Sequence, residues 1–313
     1  MTTTTAHDQQ PLDQAPPAGT IVVGIDGSDS SLDALAWAAV EASGQGRDLT
    51  LAYAVLPPDS AWIDPSMMRA LDLHRDDAGI EAVLSRAQEV VARHAGDVSV
   101  HECVRLGDPR DVLLDLGQEA DQLVIGSRGR GPVRSLLLGS VGVTLSRHAV
   151  CPVVIHRRGN RGRVHSGVVA GVDGSVRSRR VLEFAFQQAS SRDLPLTVLH
   201  CVWDAQAAAV GPALLAGGAA AAFVTDTEEA MESARLLVAE TIAGFCEDYP
   251  EVPVRTELAR GMAADALVRL GERADLVVVG SHHGGLAASI LLGSVATEVV
   301  EHAHCPVAVV PVE

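Results

Sequence analysis

The stretch from Leu123 to Ser140, LVIGSRGRGPVRSLLLGS, occurs twice. Leu276 to Ser294, LVVVGSHHGGLAASILLGS, repeats it with the same distance from the first glycine to the closing Gly-Ser. In each copy β-compatible aliphatics end on a glycine, a glycine-rich loop follows, and a second apolar run closes on Gly139-Ser140 or Gly293-Ser294. That pattern predicts a strand, a loop and a helix start. Glycine at such a turn admits positive φ and lets backbone N–H groups approach a ligand that a Cβ would block. A helix N-terminus behind the loop favours an anion, because its first amides are unpaired and its dipole is positive there. Each copy therefore has the form of a phosphate cradle, and the chain must fold around two of them.

The duplication extends beyond the cradle. IVVGIDGS at 21–28 returns as VVAGVDGS at 168–175, and Cys151-Pro152 returns as Cys305-Pro306; the extra residues of the second half lie between Val202 and Glu228. Residues 1–18 are polar and predict a disordered lead. The repeat predicts a first domain over residues 19–156, a polar linker over 157–166 and a second domain over 167–313. Within the first half, aliphatic runs predict strands at 20–25, 49–55, 98–106, 123–126 and 151–155. Helices are predicted after Ser28–Ser30, over 67–94, and from Asp108 as N-cap with Pro109 in the first helical position. Strands alternating with helices imply a parallel sheet with right-handed crossovers in each half.

Composition removes several function classes. Of 313 residues none is Lys, and the net charge is -16. A Walker-A lysine, a Schiff-base lysine and a lysine general base are thereby excluded, and the acidic balance argues against a nucleic-acid surface. Five cysteines without a close pairing pattern, and no basic-then-apolar leader, predict a reducing cytoplasm. Ala205 to Thr225 is uncharged and long enough to span a membrane, but it is mostly Ala, a weak inserter, interrupted by Gly211, Pro212, Gly217 and Gly218. A flap beside the site is expected there, and no membrane role. His302-x-His304-Cys305 has metal-like spacing, yet its counterpart is His148-x-Val150-Cys151, so a helix C-terminus that favours His accounts for the recurring residue.

In a doubly wound sheet the ligand sits at the carboxyl ends of the strands where the crossover direction reverses. The strand-one loop with Asp26 and the strand-four loop with Gly126 are neighbours at such a point. Together they offer a carboxylate, a row of backbone donors and Arg128, which suits an anion with a divalent metal. Asp26 also has the sequence setting of a turn former or helix cap.

Gly126-Ser-Arg-Gly129, nine residues, then Gly139-Ser140 is similar to the G-x2-G-x9-G-(S/T) signature of ATP-binding universal stress proteins. VGIDGS at 23–28, GDP at 107–109 and CPVVI at 151–155 resemble that family's other landmarks, and the resemblance covers residues 20–156 and 167–312. It implies an α/β fold of two Rossmann-like, adenine nucleotide alpha hydrolase-like domains, each a five-stranded parallel sheet of order 3-2-1-4-5 flanked by helices. It implies ATP, with Mg²⁺, in the cleft at strands one and four. Gly126, Gly129, Gly139, Ser140 and Val141 would hold phosphate and ribose through backbone groups, with Arg128 at the phosphates, Gly24 and Asp26 beside the nucleotide, and Ala54 at adenine. The counterparts in the second half are Gly171, Asp173, Cys201, Gly280, His282, Gly293, Ser294 and Val295. The last strands of the two sheets would pair with each other, within the chain or in a homodimer.

The second half departs from the signature. His283 stands where Gly129 stands, so that a Cβ blocks the backbone approach or shifts it to Gly284 and Gly285. The stretch Asp29 to Asp33 corresponds to Val176, Arg177, Ser178, Arg179 and Arg180. Either the second site takes positive charge from Arg177 or Arg180 and is tuned by His282 and His283 near neutral pH, or these residues are solvated surface. No catalytic set recurs in both halves. The resemblance thus implies a nucleotide-dependent regulator of stress response or growth arrest, at most a slow ATP hydrolase, with an unidentified regulatory protein partner. The alternatives are a pyrophosphatase-type enzyme, whose SGGxDS loop VGIDGS would replace, and an interaction module with an empty cradle.

Overall fold

The computed structural model describes residues 16–56, 77–127, 138–157, 166–202, 227–281 and 292–312. The chain divides into two compact units, Met1–Pro132 and Val133–Glu313.

The first unit runs β1 (Ile21–Gly24), α1 (Asp29–Gln45), β2 (Leu49–Val55), α2 (Asp77–His94), β3 (Val100–Leu106), α3 (Pro109–Leu116) and β4 (Gln122–Gly126). β1 lies between β2 and β4, and β2 carries β3 on its other side, all parallel. Ile21, Val22 and Val23 are at most 1% exposed. That double-faced burial is what a continuous aliphatic strand requires, and it needs helices over both sides of the sheet. Helix starts follow local chemistry: Ser28 caps α1 by accepting from Ser31 N–H. Asp108 caps α3 by accepting from Arg110 N–H, with Pro109 in the first turn where a missing N–H costs nothing. Both starts match the sequence expectation. Of the helix predicted over 67–94, the part before Asp77 lies outside the described residues.

The second unit contains α4 (Ser140–His148), β5 (Val153–His156), β6 (Val168–Val172), α5 (Ser178–Ser191), β7 (Leu196–Val202), α6 (Thr227–Asp248), β8 (Val254–Arg260), α7 (Ala263–Gly271), β9 (Leu276–Gly280), α8 (Ser294–His302) and β10 (Val307–Val310). The second repeat shows the whole expected order, β8-β7-β6-β9-β10, with every pairing parallel. β10 then pairs antiparallel with β5, from Val307↔Ile155 to Val309↔Val153. The final strands of the two repeats therefore meet within one chain, which removes an exposed edge. Arg157, just past β5, donates to the carbonyls of Glu301 at 3.1 Å and Ala303 at 3.2 Å, and also to that of Val300. A guanidinium at the end of α8 satisfies helix carbonyls and complements the dipole.

Candidate functional site

A parallel sheet delivers all its strand C-termini to one edge. In the second repeat β6 and β9 are in register from Val168↔Leu276 to Ala170↔Val278, so the carboxyl ends of both strands, Gly171-Val172 and Gly280, lie at that edge. There Gly171, Asp173, Cys201, Gly280 and Val295, five residues expected from sequence, line one cleft of about 170 Å³ with Arg177, Ser178, Leu199, Leu267 and Val279. Ser281 follows β9: its N–H donates to the Val310 carbonyl at 2.8 Å and its carbonyl accepts from Gly293 N–H at 2.8 Å. The two ends of the glycine loop thus meet, and α8 starts beside the end of β9. Gly293 offers α8 no side-chain cap, and Gly139 offers none to α4. A Cβ at Gly139 would meet no described residue within 4 Å. Neither N-cap glycine can itself satisfy the first amides of its helix with a side chain.

Asp173 is tied into the turn that starts α5. Its Oδ1 accepts from Ser175 N–H at 2.9 Å and Ser178 Oγ at 2.7 Å, while its own N–H donates to Ser178 Oγ at 3.1 Å. Burial pushes the carboxyl up, but the hydrogen bonds from Ser175 and Ser178 outweigh it and hold the group below its ordinary value. Burial raises the Cys201 thiol; Arg269 opposes this and Glu257 adds to it.

The first repeat builds the same turn. Asp26 Oδ1 accepts from Ser28 N–H at 2.9 Å and Ser28 Oγ at 2.6 Å, and Ser28 Oγ accepts from Ser31 N–H at 3.2 Å. Gly27 and Gly174 take φ of 75° and 76°, the left-handed region that a Cβ penalises. Of the two readings of Asp26, turn former is the one these bonds carry. Ala54 is half-buried on β2 opposite Arg105 of β3, whose guanidinium bridges to Asp115. Gly24 packs under Leu113 as Gly171 packs under Leu267, with a Cβ 3.0 and 2.9 Å from the leucine methyls respectively.

The glycines ending β4 and β9 differ. A Cβ on Gly126 would lie 2.6 Å from Ser30 Oγ and 2.7 Å from the Ser30 carbonyl oxygen. Packing of α1 on β4 demands glycine there whatever binds. On Gly280 the nearest atom, a Val312 methyl, is 3.3 Å away.

The sequence profile of the universal stress protein family matches residues 18–157 and 167–311. The chain belongs to the universal stress protein family. A universal stress protein of Mycolicibacterium smegmatis is 34% identical over 298 residues, covering 93% of this chain and 96% of its own. One from Mycobacterium tuberculosis is 34% identical over 295 residues, covering 92% and 95%. A crystal structure of a universal stress protein from Archaeoglobus fulgidus, 18% identical, matches with a TM-score of 0.64 over 96% of this chain and 98% of its own, a likeness of fold.

Of the universal stress protein signature, Gly126, Gly139, Ser140 and Val141 are described in the first repeat, and Gly280, Gly293, Ser294 and Val295 in the second. Arg128, Gly129, His282, His283 and the segment 205–225 lie outside the described residues. Ser178 was not foreseen as a site residue, although its match to Ser31, five residues after the repeated aspartate, was available in the sequence. The apolar wall at Leu267 carried no such signal, since its role depends on the contact with Gly171. Among the described residues no group of three His, Cys, Asp or Glu is placed to hold a metal ion, and no helix is long and apolar enough to cross a membrane. His302 Nδ1 bonds the Glu298 carbonyl at 2.9 Å on the last turn of α8. Burial pushes the Cys305 thiol up to about 12.

Proposed function

We propose that each repeat binds an adenine nucleotide, ATP, at the carboxyl edge of its sheet, and that binding regulates rather than reacts. The observation that carries this is the second-repeat cleft, where Gly171, Asp173, Cys201, Gly280 and Val295 converge beside a glycine-started helix. Backbone amides at the start of α8, from Ser294 and Val295, would meet phosphate oxygens. Cys201 and the apolar wall at Leu199 would face the base. By repeat correspondence Gly126, Arg128 and Gly129 would serve the phosphates in the first repeat, with Gly24 and Ala54 beside the nucleoside. Magnesium accompanying ATP there would neutralise phosphate charge, with Asp26 the carboxylate at the turn.

The hydroxyls that meet a carboxylate, Ser178 on Asp173 and Ser28 on Asp26, also hold the turn that starts the following helix, and ligand binding alone suffices to shift a population of conformers. We extend this reading to a cytoplasmic regulator of stress response or growth arrest that acts through a protein partner; a homodimer would use a surface other than the β5 and β10 edges, which pair within the chain. The test is the nucleotide released by heating the purified full chain, with stoichiometry per chain. ATP at one or two per chain supports the reading. AMP and pyrophosphate accumulating with added ATP would replace it with the pyrophosphatase reading, and no nucleotide together with no ATP-induced rise in Tm would replace it with an interaction module.

A further inference from the structure

We propose that the second-repeat cleft takes its phosphate ligand without a divalent cation, with Arg177 supplying the positive charge that a metal ion supplies elsewhere. The inference rests on the nucleotide reading of that cleft. Arg177 lines the cleft, and its guanidinium makes no ion pair or hydrogen bond with another described residue. Its neighbour Arg179 is already engaged, 5.5 Å from the centroid of the Phe245 ring. A guanidinium held at a phosphate site offers several donors in a planar fork and never loses its proton.

The donor set does not suit a dication. Asp173 is the one carboxylate among the described lining residues; its Oδ1 is tied into the turn by Ser175 and Ser178 as Asp26 Oδ1 is by Ser28 in the first repeat, so the two sites differ in the neighbouring charges, Arg177 here and further carboxylates there. Magnesium prefers several oxygen ligands in near-octahedral array, usually with more than one carboxylate or phosphate partner, and Arg177 on the same cleft repels it. The repeats make the exchange explicit. Around the first turn stand Asp26, Asp29 and Asp33; around the second, Val176 replaces Asp29, Arg177 replaces Ser30 and Arg180 replaces Asp33. No acidic residue remains in the first turn of α5. Three arginines at the positive end of a helix are unfavourable for the empty protein, and an anion in the cleft reverses that sign. The two repeats would then divide the ligand by form: metal-bound nucleotide in the first, metal-free nucleotide or another phosphomonoester-like anion in the second.

Equilibrium dialysis of the full chain against labelled ATP, with excess magnesium and again with EDTA, tests this. The expected result is that EDTA removes one of two sites and leaves the other. Arg177→Ala should weaken the EDTA-resistant site at least about tenfold, a change of about 1.4 kcal/mol, without moving the magnesium-dependent one; Arg177→Lys should restore part of it. Because Arg177 is exposed, an unchanged Tm of the ligand-free variant shows that folding is intact. Loss of all binding in EDTA, or an EDTA-resistant site that survives Arg177→Ala, overturns the inference while leaving nucleotide binding in place. Absence of binding in both conditions overturns the nucleotide reading with it.

Discussion

Replacing each strand-ending glycine by alanine separates packing from ligand contact. At Gly126 the new Cβ would stand 2.6 Å from Ser30 Oγ and 2.7 Å from both the carbonyl carbon and oxygen of Ser30. The hydroxyl can rotate away, but the backbone atoms move only if the start of α1 lifts from β4. Overpacking of this kind costs about 1–3 kcal/mol. Gly126 is not at positive φ, so the substitution also recovers about 0.4–1 kcal/mol by restricting the unfolded chain. The difference spans about 0–2.6 kcal/mol, and because the clash is with backbone atoms the upper part applies, a net loss of about 1–2.6 kcal/mol or a fall in Tm of about 2–10 °C. At Gly280 the nearest atoms are side-chain methyls of Val312 and Val181 at 3.3 and 3.4 Å, and small rotations absorb them. Gly280→Ala should therefore leave Tm within about 3 °C of the parent while weakening nucleotide binding in the second repeat about tenfold. Differential scanning calorimetry with and without ATP reads both quantities. Equal destabilisation by the two substitutions, or a neutral Gly126→Ala, would refute the asymmetry drawn from the Ser30 contact.

Other expectations follow from the same structure. Arg157→Ala removes the charged donor from the carbonyls that end α8 and should cost about 1.5–3 kcal/mol, seen as a lower urea midpoint at unchanged m; Arg157→Lys should keep part of it. Cys305, at about 12, should resist alkylation at pH 8 until the protein unfolds. Its raised value also means that the stability it contributes is full below the unfolded thiol pKa of about 8.5 and declines as pH rises towards the folded value, which alkaline denaturation of Cys305→Ala against the parent would show. Asp173 behaves oppositely. Its depressed value contributes stability present above the unfolded carboxyl pKa of about 3.9 and lost as pH falls through the folded value, so acid unfolding of Asp173→Asn should lose that part of the pH dependence.

The duplication, the strand positions, the Ser28 and Asp108 caps and the convergence of Gly171, Asp173 and Gly280 at one sheet edge were all determined by the sequence. The strands and caps rest on interactions over a few residues: alternation with helical periodicity, a side-chain oxygen within reach of an amide two or three residues on, a glycine where φ turns positive; the convergence follows from the strand order that repeated strand-helix units imply. Tertiary structure alone decided the rest. Gly126 has the appearance of a ligand-binding glycine until Ser30 is found against it. Leu267 is an ordinary core leucine until Gly171 lies under it. The final strands were expected to pair, and only the fold shows β5 meeting β10 in the same chain, with Arg157 reaching carbonyls far along the sequence. Contacts between residues so distant in the chain leave no local periodicity. They depend on which surfaces the sheet brings together, and that is settled only when the whole core packs.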